Sequence, residues 1–216
     1  GGAGAGKGVV KVFVGASEDA ELEANTSVTQ TFVHATDDEK DNKLWAFLST
    51  LTDQCRVVVF TNTKRRADVG AKNFASFGTC AIHGDKPQNE RDEALKEFVD
   101  KKRPLMFATD VAARGLDIKG VSHVVNFDMA RDVESYVHRI GRTGRAGSTG
   151  EALTFWNPDY DKACTAALCK IARAAGQAVP EWLAKHEGQK AAKQWRVEDA
   201  EKALLQSAAE QQEQGP

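Results

Sequence analysis

Six short runs rich in β-branched and aromatic residues alternate along the chain with longer stretches whose apolar residues recur at helical spacing. The runs that we predict as strands are 29–35, 56–61, 79–83, 104–108, 121–127 and 151–156. Predicted helices lie between them, at 38–50, 64–77, 88–100, 132–140 and 160–175. Strands that alternate with helices form parallel sheets with helices on both faces. The sequence therefore predicts an α/β fold with an open parallel sheet sandwiched by helices.

The stretch 132–140 has the clearest helical pattern. Its apolar residues are Val133, Tyr136, Val137 and Ile140. They share one helix face, because residues three, four and seven positions apart lie on the same side. Asp132 precedes them and is a suitable N-cap. We expect this helix to end near Ile140, where glycines begin.

Both ends of the chain differ in composition from the middle. Residues 1–8, GGAGAGKG, are too rich in glycine to order themselves and are interpreted as a linker or remnant. They match G-x-x-x-x-G-K, but Gly8 replaces the hydroxyl that a phosphate loop needs for magnesium, and no strand precedes them. Near the other end, Ala, Glu, Gln and Lys dominate. We therefore interpret 184–216 as a tail that is partly helical or disordered.

Composition excludes several classes of protein. The 216 residues suffice for one core plus a tail, and the net charge of −2 gives no general attraction to polyanions. Nucleic-acid binding therefore has to depend on local clusters of Arg and Lys. The cysteines, predicted to be reduced thiols without a metal site, are Cys55, Cys80, Cys164 and Cys169. Without a long apolar run or a signal peptide, we expect an intracellular protein, nuclear or cytoplasmic, that does not enter a membrane.

Polar residues follow the predicted strands, where ligands bind in open parallel sheets. The strand 56–61 leads into Thr61-Asn62-Thr63, followed by three basic residues, and the strand 79–83 leads into Gly84 and, after Pro87, Arg91. The strand 104–108 leads into ATDVAARGLD, which carries Thr109, Arg114, Gly115 and Asp117. A hydroxyl and backbone amides here suit a phosphate, and Asp117 suits a ribose. Helix capping by Thr63, Thr109 or Asp110 explains the same residues structurally.

The segment HRIGRTGRAG, residues 138–147, interleaves arginines with glycines. Each glycine inside a helix costs about 1 kcal/mol relative to alanine, so the segment leaves the helix. A tight backbone permitted by glycine would fix the guanidinium groups of Arg142 and Arg145 toward phosphate oxygens. The alternative is a flexible segment that coats RNA without a fixed geometry.

Four segments together carry a specific resemblance. VVVFTNTKRRAD, HGDKPQNERDEALKEF, ATDVAARGLD and HRIGRTGRAG occur in the order and spacing of the second, C-terminal RecA-like domain of DEAD-box ATP-dependent RNA helicases, closest in style to the Vasa-like branch. Residues 9–27 resemble the segment that links the two domains of that family. The resemblance implies a RecA-like helicase domain at 28–183.

The resemblance also implies roles for matching residues. Arg142 and Arg145 correspond to catalytic arginine fingers that reach the γ-phosphate of ATP. Asp117 corresponds to the residue that contacts the ribose, and Gly115 is expected to be part of the same ATP-binding site. His138 and Arg139 resemble the pair that couples the nucleotide site to RNA and to the other domain. The residues similar to those that hold the RNA backbone are Asn62, Thr63, Gly84, Arg91, Thr109 and Arg114.

The implied partners are ATP, the RNA backbone, the N-terminal RecA-like domain and regulatory proteins. The phosphate loop, the Asp-Glu-Ala-Asp motif and the Mg²⁺ ligands belong to that first domain, so we expect the chain alone to be monomeric and catalytically inactive. Two alternatives stay open. An RNA-binding or adaptor module would lack an upstream phosphate loop in its gene product, and a DNA-directed helicase would bind without depending on the 2′-hydroxyl.

Overall fold

The computed structural model describes residues 27–113, 118, 120–145 and 148–213. Six strands in this part of the chain form one sheet in the order β1-β6-β5-β2-β4-β3, and all neighbours are parallel. The strands are β1 (Val28–His34), β2 (Val57–Phe60), β3 (Thr79–Ile82), β4 (Leu105–Ala108), β5 (His123–Asn126) and β6 (Gly150–Trp156). The predicted parallel sheet is confirmed, and only β1 and β6 begin one residue before their predicted stretches.

The helices include all five that were predicted. They are α1 (Asp37–Leu48), α2 (Lys64–Asn73), α3 (Gln88–Val99), α4 (Asp110–Ala113), α5 (Val133–Ile140), α6 (Thr165–Ala174), α7 (Glu181–Ala184) and α8 (Val197–Glu213). Asp132 caps α5 as expected, because its carboxylate accepts a hydrogen bond from the Ser135 amide at 2.7 Å. Thr63 caps α2 in the same way through the Arg66 amide at 3.1 Å. Pro87 precedes α3 rather than forming its first residue.

The strands bury both faces, which explains their continuous apolar sequences. On one face Val57, Val59 and Phe107 pack with α1 and α2. On the opposite face Val58 and Phe60 pack with α3. Gly70 of α2 has no side chain because a Cβ there would lie 2.4 Å from the ring of Phe107.

The segment after residue 183 joins the core in the described range. Its largest apolar side chain, Trp195, is buried and lies 6.2 Å from the ring of Tyr136 in α5. Ala200, Ala203 and Leu204 of α8 enter the same cluster as α5 and α6. The small side chains of α8 allow this close packing, although they gave a weak apolar signal in the sequence.

Two predictions about the chain ends fall mainly outside the described residues. The glycine-rich segment 1–8 and the interdomain segment 9–27, apart from Ser27, are not among them. In the ranges that are described, the helices are too short or too polar to cross a bilayer. The four cysteines are free thiols.

Candidate functional site

The carboxyl ends of β2, β3, β4 and β5 meet at one edge of the sheet, because parallel strands all end on the same side. The residues that follow these strands, Asn62, Gly84, Thr109 and Asp128, therefore lie along a single edge. Helix α5 brings the arginine and glycine segment to this edge. Most of the predicted site residues are thus gathered by the topology of the sheet.

Arg139 lies among the residues at the carboxyl ends of these strands, and its side chain is 1% exposed. Its Nε and Nη2 donate to the two carboxylate oxygens of Asp110 at 2.6 and 2.8 Å. Its Nη1 donates to the carbonyl of Asp128 at 2.7 Å and to Asn126 Oδ1 at 3.3 Å. Its Nη2 also donates to Asn62 Oδ1 at 2.9 Å. These five hydrogen bonds match the five N–H donors of a guanidinium group.

The Arg139 side chain therefore ties together residues that follow three different strands. A planar fork with five donors can do this, and a lysine ammonium cannot. The guanidinium also lies over the ring of Phe60, 5.1 Å from its centroid. The end of α5, where the arginine and glycine segment begins, is consequently fixed to the ends of β2, β4 and β5.

A second set of charges supports the turn that follows β2. Asp128 Oδ2 accepts a hydrogen bond from the Asn62 amide at 2.9 Å, and the Asn62 side chain donates to the Met129 carbonyl at 2.9 Å. Asp128 Oδ1 lies 3.3 Å from Arg66 Nη1 and 3.7 Å from the buried Lys40 Nζ. These cations offset the charge of a carboxylate that is itself buried. The turn at Asn62 is therefore rigid before any ligand arrives.

Lys40 also pairs with Asp37 at 2.9 Å. Burial acts to raise the pKa of Asp37, but hydrogen bonds from Tyr160 and Lys40 outweigh it and lower the pKa. Asp37 therefore remains charged and keeps the Lys40 ammonium paired. The network extends from α1 to the turn at Asn62.

The residues expected to hold RNA are accessible to different degrees. Gly84 is exposed beside Lys64, which forms a salt bridge with Asp85. Thr109 is 7% exposed, and its carbonyl accepts hydrogen bonds from the amides of Ala112 and Ala113 in α4. Thr63 is exposed at the start of α2. Thr63 and Gly84 are therefore accessible at this edge, whereas Thr109 is buried.

Arg91 projects from the first turn of α3, as the sequence predicted. Its Nη1 donates to Gln88 Oε1 at 3.2 Å, while its Nε is buried and has no hydrogen-bond partner in the described residues. A buried donor without a partner is unfavourable and rare in folded proteins. The rest of the Arg91 guanidinium is partly exposed, so a ligand could reach it only through the terminal nitrogens.

The arginine and glycine segment has the tight backbone that was predicted. Gly144 has a φ of +69°, and a Cβ there would lie 2.7 Å from Ser27 Oγ and from Val28 Cγ2. Thr143 is buried and its hydroxyl donates to the Val121 carbonyl at 2.7 Å. Arg145 Nε donates to the Gly141 carbonyl at 2.7 Å. Up to Arg145 the described part of the segment is thus a hydrogen-bonded turn.

Arg142 is partly exposed on this turn and borders a small cavity together with Phe60, Asp110 and Arg139. His138 precedes the turn and lies 4.0 Å from Glu134 and 3.6 Å from Glu210 of α8. The C-terminal segment therefore reaches the residue expected to couple the two sites. Arg114, Gly115 and Asp117 lie outside the described residues.

Asp110, Asn126, Asp128 and Lys40 were not predicted as site residues. Asp110 was interpreted only as a helix cap, although it is the bidentate partner of Arg139. Asp128 is the second residue after β5, and its place after a strand was the available signal. Lys40 offered no signal, because a lysine on a charged helix usually lies in solvent.

The family described as "Helicase conserved C-terminal domain" matches residues 39–147, about half of the chain, and the chain belongs to this family. The match includes the residues of the Arg139 network and the turn that follows α5.

The chain is also similar to individual DEAD-box proteins. It is 46% identical over 178 residues to ATP-dependent RNA helicase DBP2 of Debaryomyces hansenii, covering 81% of this chain and 32% of that protein. It is 48% identical over 161 residues to DEAD-box ATP-dependent RNA helicase 46 of Arabidopsis thaliana, covering 74% of this chain and 25% of that protein. The chain therefore spans a third or less of the length of these relatives.

A solved structure supports the fold. The yeast DEAD-box splicing factor Prp28 matches with a TM-score of 0.69 at 32% identity, over 78% of this chain and 39% of that chain. This likeness, together with the parallel six-stranded sheet, confirms the predicted RecA-like fold.

Proposed function

We propose that the chain acts as the second RecA-like domain, residues 28–183, of an ATP-dependent DEAD-box RNA helicase. In this proposal two domains close around ATP and grip one RNA strand, which separates short duplexes locally. Membership of the Vasa-like branch is also a proposal, and it is based on the residues of the motifs. The relatives described above are DBP2 and a plant DEAD-box helicase. The chain supplies half of the catalytic site.

The observation that carries this proposal is the buried Arg139 network. It joins the turn after β2 and the loop after β4, where RNA would bind, to the end of α5, where the arginine fingers begin. Because the guanidinium is fully used inside the domain, Arg139 would couple the sites by holding them in one rigid unit. His138, which is partly exposed, would make the contact with the N-terminal domain.

Two guanidinium groups on a fixed turn suit the charge that develops on a transferring phosphoryl group. We assign Arg142 and Arg145 to the γ-phosphate, and Asp117 with Gly115 to the ribose side of ATP. Magnesium and the phosphate loop would come from the N-terminal domain. ATP bound between the domains would supply the free energy for closure.

The RNA side would hold the sugar-phosphate backbone without reading bases. Thr63 offers an exposed residue at a helix start and Gly84 an exposed backbone, Thr109 lies buried behind them, and Arg91 offers a partly exposed guanidinium. Asn62 would act mainly by shaping its turn, because its side chain already bonds to Arg139 and Met129. Arg114 completes the proposed set. Contacts of this kind position a strand but carry no sequence information.

The isolated chain provides a direct test. We expect negligible ATP hydrolysis with or without RNA, and weak binding of single-stranded RNA that falls steeply as salt increases. Arg91→Ala should weaken that binding, while Lys185→Ala, at an exposed position on α7's carboxyl end, should not. RNA-stimulated hydrolysis by the chain alone, or tight and sequence-selective binding that resists salt, would refute the proposal.

A further inference from the structure

The two outermost strands of the sheet, β1 and β3, differ in how their outward-facing backbone groups are bonded. At the outer edge of β1, the Gln30 amide donates to Gln177 Oε1 at 2.6 Å, and Gln177 Nε2 donates to the Val28 carbonyl at 2.5 Å. Lys43 Nζ donates to the His34 carbonyl at 2.6 Å. Among the described residues, one side-chain amide thus bonds to two backbone groups on the outer side of β1 and protects this edge.

In the described ranges, a side chain covers the outer edge of β3 at the Thr79 carbonyl but not at Ala81. The carbonyls of Gly78 and Ile82 accept hydrogen bonds from Leu105 and Thr109, both at 3.3 Å. Because a strand alternates its bonding direction, Ala81 faces away from β4. Arg103 Nη1 donates to the Thr79 carbonyl at 3.2 Å. Among the described residues, the N–H and C=O groups of Ala81 have no hydrogen-bond partner.

A groove with a volume of about 470 Å³ runs along this edge. Its helical wall carries Ala71 of α2 and the neighbouring Ala75, and its floor is the backbone of β3. Small side chains leave space for another chain at the spacing of a sheet, about 4.8 Å. Ala81 is 8% exposed and borders this groove, so another chain has to enter the groove to reach its unpaired backbone groups.

The side chains that line the groove include more basic than acidic groups, although the whole chain has a net charge of −2. Lys86, Lys102 and Arg103 line it, against the single carboxylate of Asp68. Arg103 pairs with Glu97 at 2.8 Å, and Lys86 Nζ lies 3.9 Å from carboxylate oxygens of both Asp68 and Glu90. Lys102 has no ion pair in the part of the chain that the structure describes. The charges favour an occupant with acidic side chains.

We propose that the outer edge of β3 binds an extended acidic segment of a partner protein as a seventh strand. A second strand can donate to the Ala81 carbonyl and accept from its amide, whereas RNA phosphates only accept. Backbone pairing would supply affinity, and the lysines would select acidic sequences. This surface is separate from the Arg139 network, so the proposal does not depend on the roles assigned to ATP and RNA.

The test uses the 216-residue chain and a blocked eight-residue peptide in which valine and glutamate alternate. Amide hydrogen exchange followed by NMR should show that the peptide slows exchange at Ala81 by about tenfold or more. A matched peptide with N-methylated valines cannot donate from those positions and should lose the protection. A matched peptide with lysine in place of glutamate should bind at least about tenfold more weakly.

Variants of the chain test the charge selection. Lys102→Glu should weaken binding of the glutamate peptide about tenfold, and Lys185→Glu, on the carboxyl side of α7, should leave it unchanged. Three outcomes would overturn the proposal: no protection at Ala81, equal binding of the N-methylated peptide, or displacement of the peptide by single-stranded RNA. The last result would make the groove an RNA-binding surface instead.

Discussion

Replacing Arg139 with lysine should destabilise the domain strongly while keeping the charge. Arg139 makes five hydrogen bonds inside the protein, and an ammonium group has three donors. At least two buried acceptors would lose their partner, and each costs about 1–3 kcal/mol. We therefore expect Arg139→Lys to lower the free energy of unfolding by about 2–6 kcal/mol, a large share of the 5–15 kcal/mol that is typical of a domain.

Urea unfolding of the isolated chain measures this loss. Arg173→Lys is the matched control, because Arg173 pairs with Glu187 at 2.7 Å but is 54% exposed. Its loss should stay below about 1 kcal/mol, as for other surface pairs. Asp110→Asn should destabilise the domain in the same direction as Arg139→Lys. If Arg139→Lys lost no more stability than the control, the rigid network described above would not hold the site together.

Two further variants test local features. Burial raises the pKa of Asp161 from 3.8 to about 6, so its contribution to stability is greatest below pH 4 and is lost as pH rises through 6. Asp161→Asn should therefore raise the free energy of unfolding by up to about 3 kcal/mol at pH 7.5 and by little at pH 4, and an equal effect at both values would contradict this. Gly144→Ala should lower stability by about 1–3 kcal/mol because of its positive φ, while Gly188→Ala, with open space around it, should not; thermal melting curves would compare them.

Much of the fold could be predicted from local sequence patterns. The strands and the first five long helices follow from runs of β-branched residues and from helical spacing, and the caps at Thr63 and Asp132 follow from short polar side chains. These features depend on neighbours within a few positions. They are the part of a structure that one sequence records most directly.

The centre of the site depends on distant pairs. Arg139 and Asn62 are 77 positions apart, and nothing in either stretch indicates that the guanidinium binds that amide oxygen. The same holds for Asp128 with the Asn62 amide, 66 positions away. The packing of α8 was also missed, because alanines buried against α5 resemble alanines in a solvated helix. The sequence predicted that the site lies at the carboxyl ends of the strands, but it did not predict the hydrogen bonds of Arg139 and Asp128 that hold the site together.

The measurement that tests the account most directly separates the two surfaces in the full two-domain protein. RNA-stimulated ATPase kinetics and RNA binding without nucleotide would be compared for Arg142→Ala, Arg91→Ala and the control Lys185→Ala. Arg142→Ala should lower maximal turnover by about 10³–10⁵ and leave RNA affinity unchanged. Arg91→Ala should raise the RNA concentration for half-maximal activity and largely keep turnover. An Arg142→Ala protein that lost RNA affinity but kept turnover would contradict the assignment of the arginine fingers.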